Sequence, residues 1–438
     1  MNRKSLLSAC VLSSLTIGIA GAAEPGPMPV TVPSESLMQR RFVDIEPIRK
    51  DPVLKWKVKS AAGAAKEEWS NCIVYKGVMY GSARDILHAI DVETGKLLWT
   101  LKQASGHPAI QGDTLYVTGT EKFYAVDLAT GKVKYETACS PMMSDWSQAH
   151  GFMKPAAVLQ NGVAFFGAKS PETVDCYYHA VELATGKLLW KAKPKNEAWT
   201  ARPCVGGGRL YGSSHRDPIK PGDPTCWGRP EKGECIVAMD VKTGEVLWSR
   251  DGLSTSANPV YNDEVVYVGL MNLVEAMDAK TGQTLWTAPA EIRKATKNHP
   301  KGGAVTGLAL HDNVLIASGA GSTLVAIDVR ERKELWRFKE PGVGEILTPV
   351  ICRDTVIVPT AGAVGGEDAA KGGRNSPIFG LDLKTGSKLW QCMVPGTDCL
   401  ENGQRRSYNS YVCGWGYPEG KRIFVFSFTG YFYCFEQP

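Results

Sequence analysis

Apolar and polar residues alternate in short runs along most of the chain, and one run keeps returning. Its first full copy reads Ala89-Ile90-Asp91-Val92-Glu93-Thr94-Gly95-Lys96-Leu97-Leu98-Trp99. Further copies occupy 125–135, 180–190, 238–248, 276–286, 326–336 and 380–390. The period of two on either side of the Asp-x-x-Thr-Gly centre predicts two short strands joined by a tight turn. Gly takes the positive φ such a turn needs at no steric cost. Asp accepts hydrogen bonds from the turn's own main chain and from the Thr hydroxyl. The second strand ends on a large apolar plate, Trp99 in the first copy. One copy departs: Asp328 is followed by Arg330-Glu331-Arg332-Lys333 with no glycine. A different or mildly strained turn is expected there, because positive φ is costly for residues with a Cβ. Glu182 for Asp and Tyr135 for Trp are milder departures.

A second strand pair precedes each motif, as at 108–117 and 259–268, so the unit is four short antiparallel strands, a propeller blade. Outer-strand aromatics stand at Trp99, Tyr135, Trp190, Trp248, Trp286, Trp336 and Trp390. The C-terminal stretches 423–426 and 430–436 supply inner strands with no outer one, and Leu54-Lys55-Trp56-Lys57 supplies the missing strand. Pairing the two ends would complete an eighth blade and remove exposed edges. The expected fold is therefore all-β: an eight-bladed β-propeller of four-stranded antiparallel blades over residues 52–438, its ring closed by the N- and C-terminal strands.

The chain opens with a basic start, an apolar run from Leu6 to Ile19 and small residues through Ala23, the pattern of a secretory signal peptide over 1–23. Leu7-Ser8-Ala9-Cys10 spells a lipoprotein-like box, but almost no apolar segment precedes it. Residues 24–51 are Pro-rich and then mixed in charge, predicting a leader that is either extended over the propeller or disordered. No later stretch is long and apolar enough for a bilayer-spanning helix. A periplasmic or secreted mature protein without a transmembrane segment is expected.

Composition narrows the partners. The net charge is +5 over 438 residues, and Lys and Arg are scattered, so nothing points to nucleic acid. Of twelve cysteines, Cys10 falls in the signal segment and eleven remain, an odd number in an oxidising compartment. Cys226/Cys235 and Cys392/Cys399 are candidate disulfides. Cys204, Cys352 and Cys413 fall in predicted strands as buried thiols. No Cys or His spacing suits a metal, and none is assigned.

Function is expected on one face. Connections between the first and second, and third and fourth, strands are short. The insertions at 140–152, 213–234, 288–303, 361–376 and 395–407 all belong to the other two classes of connection, which share the opposite face. Such loops either carry binding or cap the fold. The residues just before the first strands are all polar: Asn71, His107, Lys154, Arg202, Asn258, Thr306, Thr348 and Asn409. First strands line a propeller's channel, so these side chains are the candidate cofactor- or ligand-binding ring at its loop-side mouth. Lys154 and Arg202 would make one sector suited to a carboxylate; the alternative is that strand starts near solvent are simply polar. Trp69, Trp146, Trp199, Trp227 and Trp415 lie outside the repeat column, to stack on a ligand, line an interface or pack under their own loops.

The Ala-x-Asp-x-x-Thr-Gly-x-x-x-Trp repeat resembles the tryptophan-docking motif of quinoprotein (pyrroloquinoline quinone, PQQ) propellers, from about Leu54 to Phe435. That resemblance implies a periplasmic location and two functional classes. One is a PQQ-dependent alcohol or sugar dehydrogenase, with the quinone above calcium or a lanthanide between a Trp and a vicinal disulfide, and an Asp as base. The chain has no Cys-Cys pair, and no catalytic residue is assigned. The other is a non-catalytic scaffold like the outer-membrane protein-assembly lipoprotein, with a periplasmic protein partner or small ligand on the loop-rich face. A carbohydrate- or polymer-binding propeller would use the same loop aromatics. The binding scaffold is the primary expectation and the dehydrogenase the alternative.

Overall fold

The repeated hairpin closes on its own side chains. Asp91 accepts the main-chain N–H of Thr94 at 2.8 Å and its hydroxyl at 2.7 Å, and Gly95 N–H donates to the Asp91 carbonyl at 2.9 Å with φ +71°. The Thr94 hydroxyl accepts the Lys96 N–H at 3.2 Å. Asp127, Asp240, Asp278 and Asp382 repeat this arrangement. The bonds from the threonines hold the Asp91, Asp127 and Asp278 carboxyls below the usual carboxylate range. The glycine-free copy turns as the sequence implies. Asp328 accepts the N–H groups of Arg330 and Glu331, both at 2.8 Å, while Arg332 takes the glycine's place at φ +57°.

The computed structural model describes residues 41–61, 72–83, 85–119, 121–139, 156–169, 176–194, 199–200, 203–215, 235–251, 258–292, 294, 302–319, 321–340, 343, 345–361, 376–395, 397–401, 404–408, 412–427 and 430–438. They form eight antiparallel blades, with strands added to some edges and one separate hairpin, Thr397–Glu401 with Gln404–Tyr408. Blades 1 to 7 span 72–102, 109–138, 158–192, 204–251, 260–289, 305–339 and 350–394. Blade 8 takes three strands from the C-terminus, Val412–Glu419, Arg422–Ser427 and Tyr431–Glu436, and its outer strand, Val53–Lys59, from the N-terminal segment. No helix occurs among the described residues, and none is long and apolar enough to cross a membrane.

The outer-strand aromatic of one blade reaches the hairpin of the next. Trp99, Trp190, Trp248 and Trp336 donate Nε1–H to the carbonyls of Leu128, Val241, Ala279 and Leu383 at 2.9 to 3.1 Å. Tyr135 does the same through its hydroxyl, to Leu183 at 2.7 Å. The ring lies on the hairpin glycine, so a Cβ on Gly131 would come within 2.6 Å of Trp99 and one on Gly386 within 2.4 Å of Trp336. The glycine thus has a second role besides its positive φ: it leaves room for the neighbour's ring. Where Arg332 stands instead, the facing Trp286 packs against the same apolar cluster as Val329 and makes no such main-chain bond among the described residues.

Blade 8 joins blade 1 in the same way, with Trp56 donating to the Val92 carbonyl at 2.9 Å. Arg422 bridges Glu93 and Glu436, each at 2.7 Å, and Lys55 bridges the same two carboxylates at 2.9 and 3.1 Å. Between blades 7 and 8 no hairpin exists, because the third and outer strands of blade 8 come from opposite ends of the chain. The leader fills the gap: Trp390, only 2% exposed, donates to the Ile48 carbonyl at 2.8 Å, and Asp51 accepts the Gln391 N–H at 3.0 Å. Residues 41–51 therefore lie across the propeller, and the rest of the leader, 24–40, is outside the described residues.

The core is a set of apolar layers between neighbouring blades, such as that of Tyr80, Leu87, Phe424 and Phe432 between blades 1 and 8. One cysteine expectation is corrected. Cys392 is a free thiol, 5% exposed, and not half of a disulfide with Cys399. Alternation along Lys388–Val394 puts it on the inward face with Trp390 and Val394, and burial pushes its thiol up. Cys204 and Cys352 are buried thiols as expected. The side chain of Cys413 and the Cys226/Cys235 pair lie outside the described residues.

Two substitutions test this account by denaturant unfolding. Trp336→Phe is expected to cost about 1 kcal/mol more than Trp286→Phe, because only the first also orphans a carbonyl acceptor. Arg332→Gly is expected to stabilise by about 0.5–1 kcal/mol, since relief of positive-φ strain exceeds the added chain entropy; a lower midpoint would refute the strain.

Candidate functional site

The face carrying the first-to-second and third-to-outer turns is short-looped. On the other face the chain leaves one strand at Ala138 and returns at Val158, leaves at His215 and returns at Cys235, and leaves at Ala361 and returns at Ser376. The candidate ring lies at this second face.

Four of its eight members fall among the described residues, and three of them, His107, Asn258 and Thr348, are buried. His107 is 3% exposed, and its main chain forms a parallel bridge with Ala156 of the next blade. The stretch before it is pinned on both sides. Ser105 and Gly106 donate N–H to the Thr118 carbonyl at 3.1 and 2.7 Å, and the Ser82 hydroxyl of blade 1 donates to the Gly106 carbonyl at 2.6 Å. Thr348, 9% exposed, passes so near Gly307 of blade 6 that a Cβ there would lie 2.7 Å from its Cα. The preceding Leu347 carbonyl accepts the Ser318 hydroxyl at 2.9 Å. Asn258 is 4% exposed and Thr306 half-buried. Asn71, Lys154, Arg202 and Asn409 lie outside the described residues, so the proposed electropositive sector does too. So do Trp69, Trp146 and Trp227 and the side chains of Trp199 and Trp415.

Buried Ser82 and Ser318 are the members that sequence reading missed. Each sits near the loop-side end of a second strand and fixes the strand start of the following blade. A serine in an otherwise apolar strand was the available signal, but its partner lies in another blade.

Three further buried ionisable groups lie away from the strand starts, each just before the small residue that faces an outer-strand Trp. His88, His179 and Glu275 occupy this register position in blades 1, 3 and 5. Glu275 is paired to Arg250 of blade 4 at 2.6 Å. His179 stacks on Phe166, with ring centroids 5.1 Å apart, and His88 Nε2 accepts the Ala61 N–H at 2.8 Å. Burial lowers both histidines to about 4, so both are neutral at pH 7. They are contacts between and within blades.

A quinone over a metal ion would need clustered carboxylates. Among the described residues no three His, Cys, Asp or Glu side chains come together to hold a cation, and three of the four described mouth residues are buried. They do not supply that site.

Comparison with known proteins places the repeat. The family described as "Outer membrane protein assembly factor BamB" (PQQ_2) matches residues 83–145, 143–391 and 232–438. The chain belongs to this family. A sequence relative is the dehydrogenase subunit of the alcohol dehydrogenase (quinone) of Gluconacetobacter polyoxogenes, 25% identical over 240 residues. That match covers 40% of the chain but only 31% of the relative. Among solved structures, quinohemoprotein alcohol dehydrogenase from Comamonas testosteroni aligns with a TM-score of 0.60 at 15% identity, over 91% of this chain and 79% of that one. BamB from Moraxella catarrhalis aligns with a TM-score of 0.54 at 14% identity, over 88% and 97%. The two structural likenesses show the fold alone.

The buried histidines make acid stability testable. As pH falls through 6.5 the unfolded chain protonates its histidines, whereas folded His88 and His179 resist down to about 4. Their neutral burial therefore costs nothing above pH 6.5, and stability is lost between 6.5 and 4. His179→Phe is expected to flatten that part of a stability–pH curve measured by urea unfolding; an unchanged slope would show that the residue is not buried neutral.

Proposed function

We propose that this protein is a periplasmic or secreted binding scaffold that takes a protein partner or small ligand on its loop-rich face, exported by a signal peptide over residues 1–23. The observation that carries the reading is the asymmetry of the two faces. On one face the connections are spent on the fold: their carbonyls accept the neighbouring aromatics, their glycines carry the rings, and the leader covers blades 7 and 8. On the other, the connections after Ala138, His215 and Ala361 are long, and Ser82, Thr118 and Ser318 hold the strand starts of blades 2 and 7 at the same face, an arrangement that presents variable loops beside a fixed frame. Membership of the family described as an outer membrane assembly factor supports the scaffold reading.

A second reading is a PQQ-dependent oxidoreductase of the alcohol or sugar dehydrogenase type, with quinone at the ring of Asn71, His107, Lys154, Arg202, Asn258, Thr306, Thr348 and Asn409. It is favoured by the similarity to the quinone alcohol dehydrogenase subunit. Titration with PQQ in the presence of calcium, then of a lanthanide, separates the two. The scaffold reading expects no saturable change in absorbance or melting temperature under either ion. It also expects a cross-linked partner from a periplasmic extract that is lost when 216–234 or 362–375 is shortened. Saturable quinone binding weakened about tenfold by Arg202→Ala would replace it with the dehydrogenase, since a lost charge-assisted bond has that size.

A further inference from the structure

The leader does more than supply a carbonyl to Trp390. Phe42–Val43 pairs in parallel with Val350–Cys352, the first strand of blade 7, on the edge facing the channel (Phe42 opposite Ile351, Val43 opposite Cys352). Among the described residues this is the one blade whose innermost edge carries an added strand. A first strand's free edge offers N–H and C=O groups to any extended segment, the geometry by which peptides are captured on sheet edges.

Each residue of the captured segment meets a distinct feature. The Ile351 N–H donates to the Arg41 carbonyl at 2.8 Å. The Phe42 ring stacks on His311 of blade 6, with centroids 3.8 Å apart and planes within 3°. Val43, 4% exposed, enters the apolar layer of Val350 and Cys352. The Cys352 thiol donates to the Ile45 carbonyl at 3.1 Å. Arg353, held at φ +49° in the turn after the strand, reaches Asp44 with Nε and Glu46 with Nη1, both at 2.8 Å. Ile45 packs against the same layer, so the pattern read is aromatic, aliphatic, acidic, aliphatic, acidic. It sits on the face opposite the loops, and it is independent of what those loops bind.

We propose that the inner edge of blade 7, with His311 and Arg353, is a binding groove for an extended polypeptide. Residues 41–46 fill it in cis, and the same segment of a second copy of the chain fills it in trans when the cis segment is displaced. The pairing is two residues long and its ion pairs are solvent-exposed, so the segment belongs to the low-stability end of the molecule and can leave without opening a blade. In cis the segment competes at an effective concentration of about millimolar, which hides the groove from a dilute ligand.

The test uses the full-length chain and a fluorescein-labelled synthetic peptide of residues 40–47, read by anisotropy. Wild type is expected to bind it weakly. The F42A/D44K/E46K variant, whose own segment no longer fits, is expected to bind at least about tenfold tighter, because cis competition is removed. Adding R353E should cancel the gain, and a peptide with lysines at both acidic positions should restore it. A V43C peptide with oxidised glutathione as electron acceptor should form its disulfide with Cys352. Equal affinity of wild type and variant, indifference to R353E, or cross-linking elsewhere would each overturn the groove. Should the triple variant fail to fold, D44K/E46K carries the same expectations.

Discussion

Everything in this molecule hangs on one contact, made between a blade's outer aromatic and the hairpin of its neighbour. An indole N–H donates a hydrogen bond to a hairpin carbonyl that the turn geometry leaves unused, and the ring lies on a glycine that has no Cβ to lift it. Both halves are needed. The Asp-x-x-Thr-Gly turn aims the carbonyl by tying its own amides to the Asp carboxylate, and the small residue opposite each Trp lets the ring lie flat. In blade 7 that residue is Gly380, where a Cβ would come within 2.0 Å of Trp390, the most buried of the docking aromatics. Because each blade touches only its neighbours, the contact repeats around the wheel and its local failures stay local. Arg332 shows this, since at its turn Trp286 makes no main-chain bond among the described residues while blades 5 and 6 remain packed through Val274, Leu308 and Leu315.

Repetition has one necessary exception, the blade made from both chain ends. There the hairpin that should receive Trp390 does not exist, and the leader's Ile48 carbonyl stands in for it. A cluster of two cations and two carboxylates, Lys55, Arg422, Glu93 and Glu436, then ties this composite blade to blade 1. The same leader continues inward to the channel edge of blade 7. A segment needed for a structural reason at one end therefore has its other end laid along a sheet edge that could accept a different strand.

This division of labour also decides where the chain can vary in length. Turns that carry the docking contacts cannot vary in length or lose their glycine without cost, so diversity is pushed to the opposite face. At that face the buried hydroxyls of Ser82 and Ser318 clamp the strand starts of blades 2 and 7. The described polar residues His107, Asn258 and Thr348 are buried there, His107 and Thr348 against the neighbouring blade. In the proposed scaffold, binding chemistry would be left to the connections themselves.

The number of blades, the hairpin and its glycine, the odd turn at Arg332 and the N-terminal origin of the last outer strand were all legible in the sequence. They depend on residues close together in the chain or on a motif counted along it. The ring of polar residues was legible only as a position. Whether such a side chain looks into the channel or into the wall depends on the neighbouring blade, as with Thr348 over Gly307. The Cys392 thiol shows the same limit from another side: closeness to Cys399 suggested a bridge, while the strand's alternation turned the thiol inward beside Trp390. Tertiary structure alone could bring Ser82 to Gly106, Ile48 to Trp390 and Phe42 to His311. Contacts between blades are set by the twist and stacking of sheets, and a linear pattern carries no record of which residues that stacking will bring face to face.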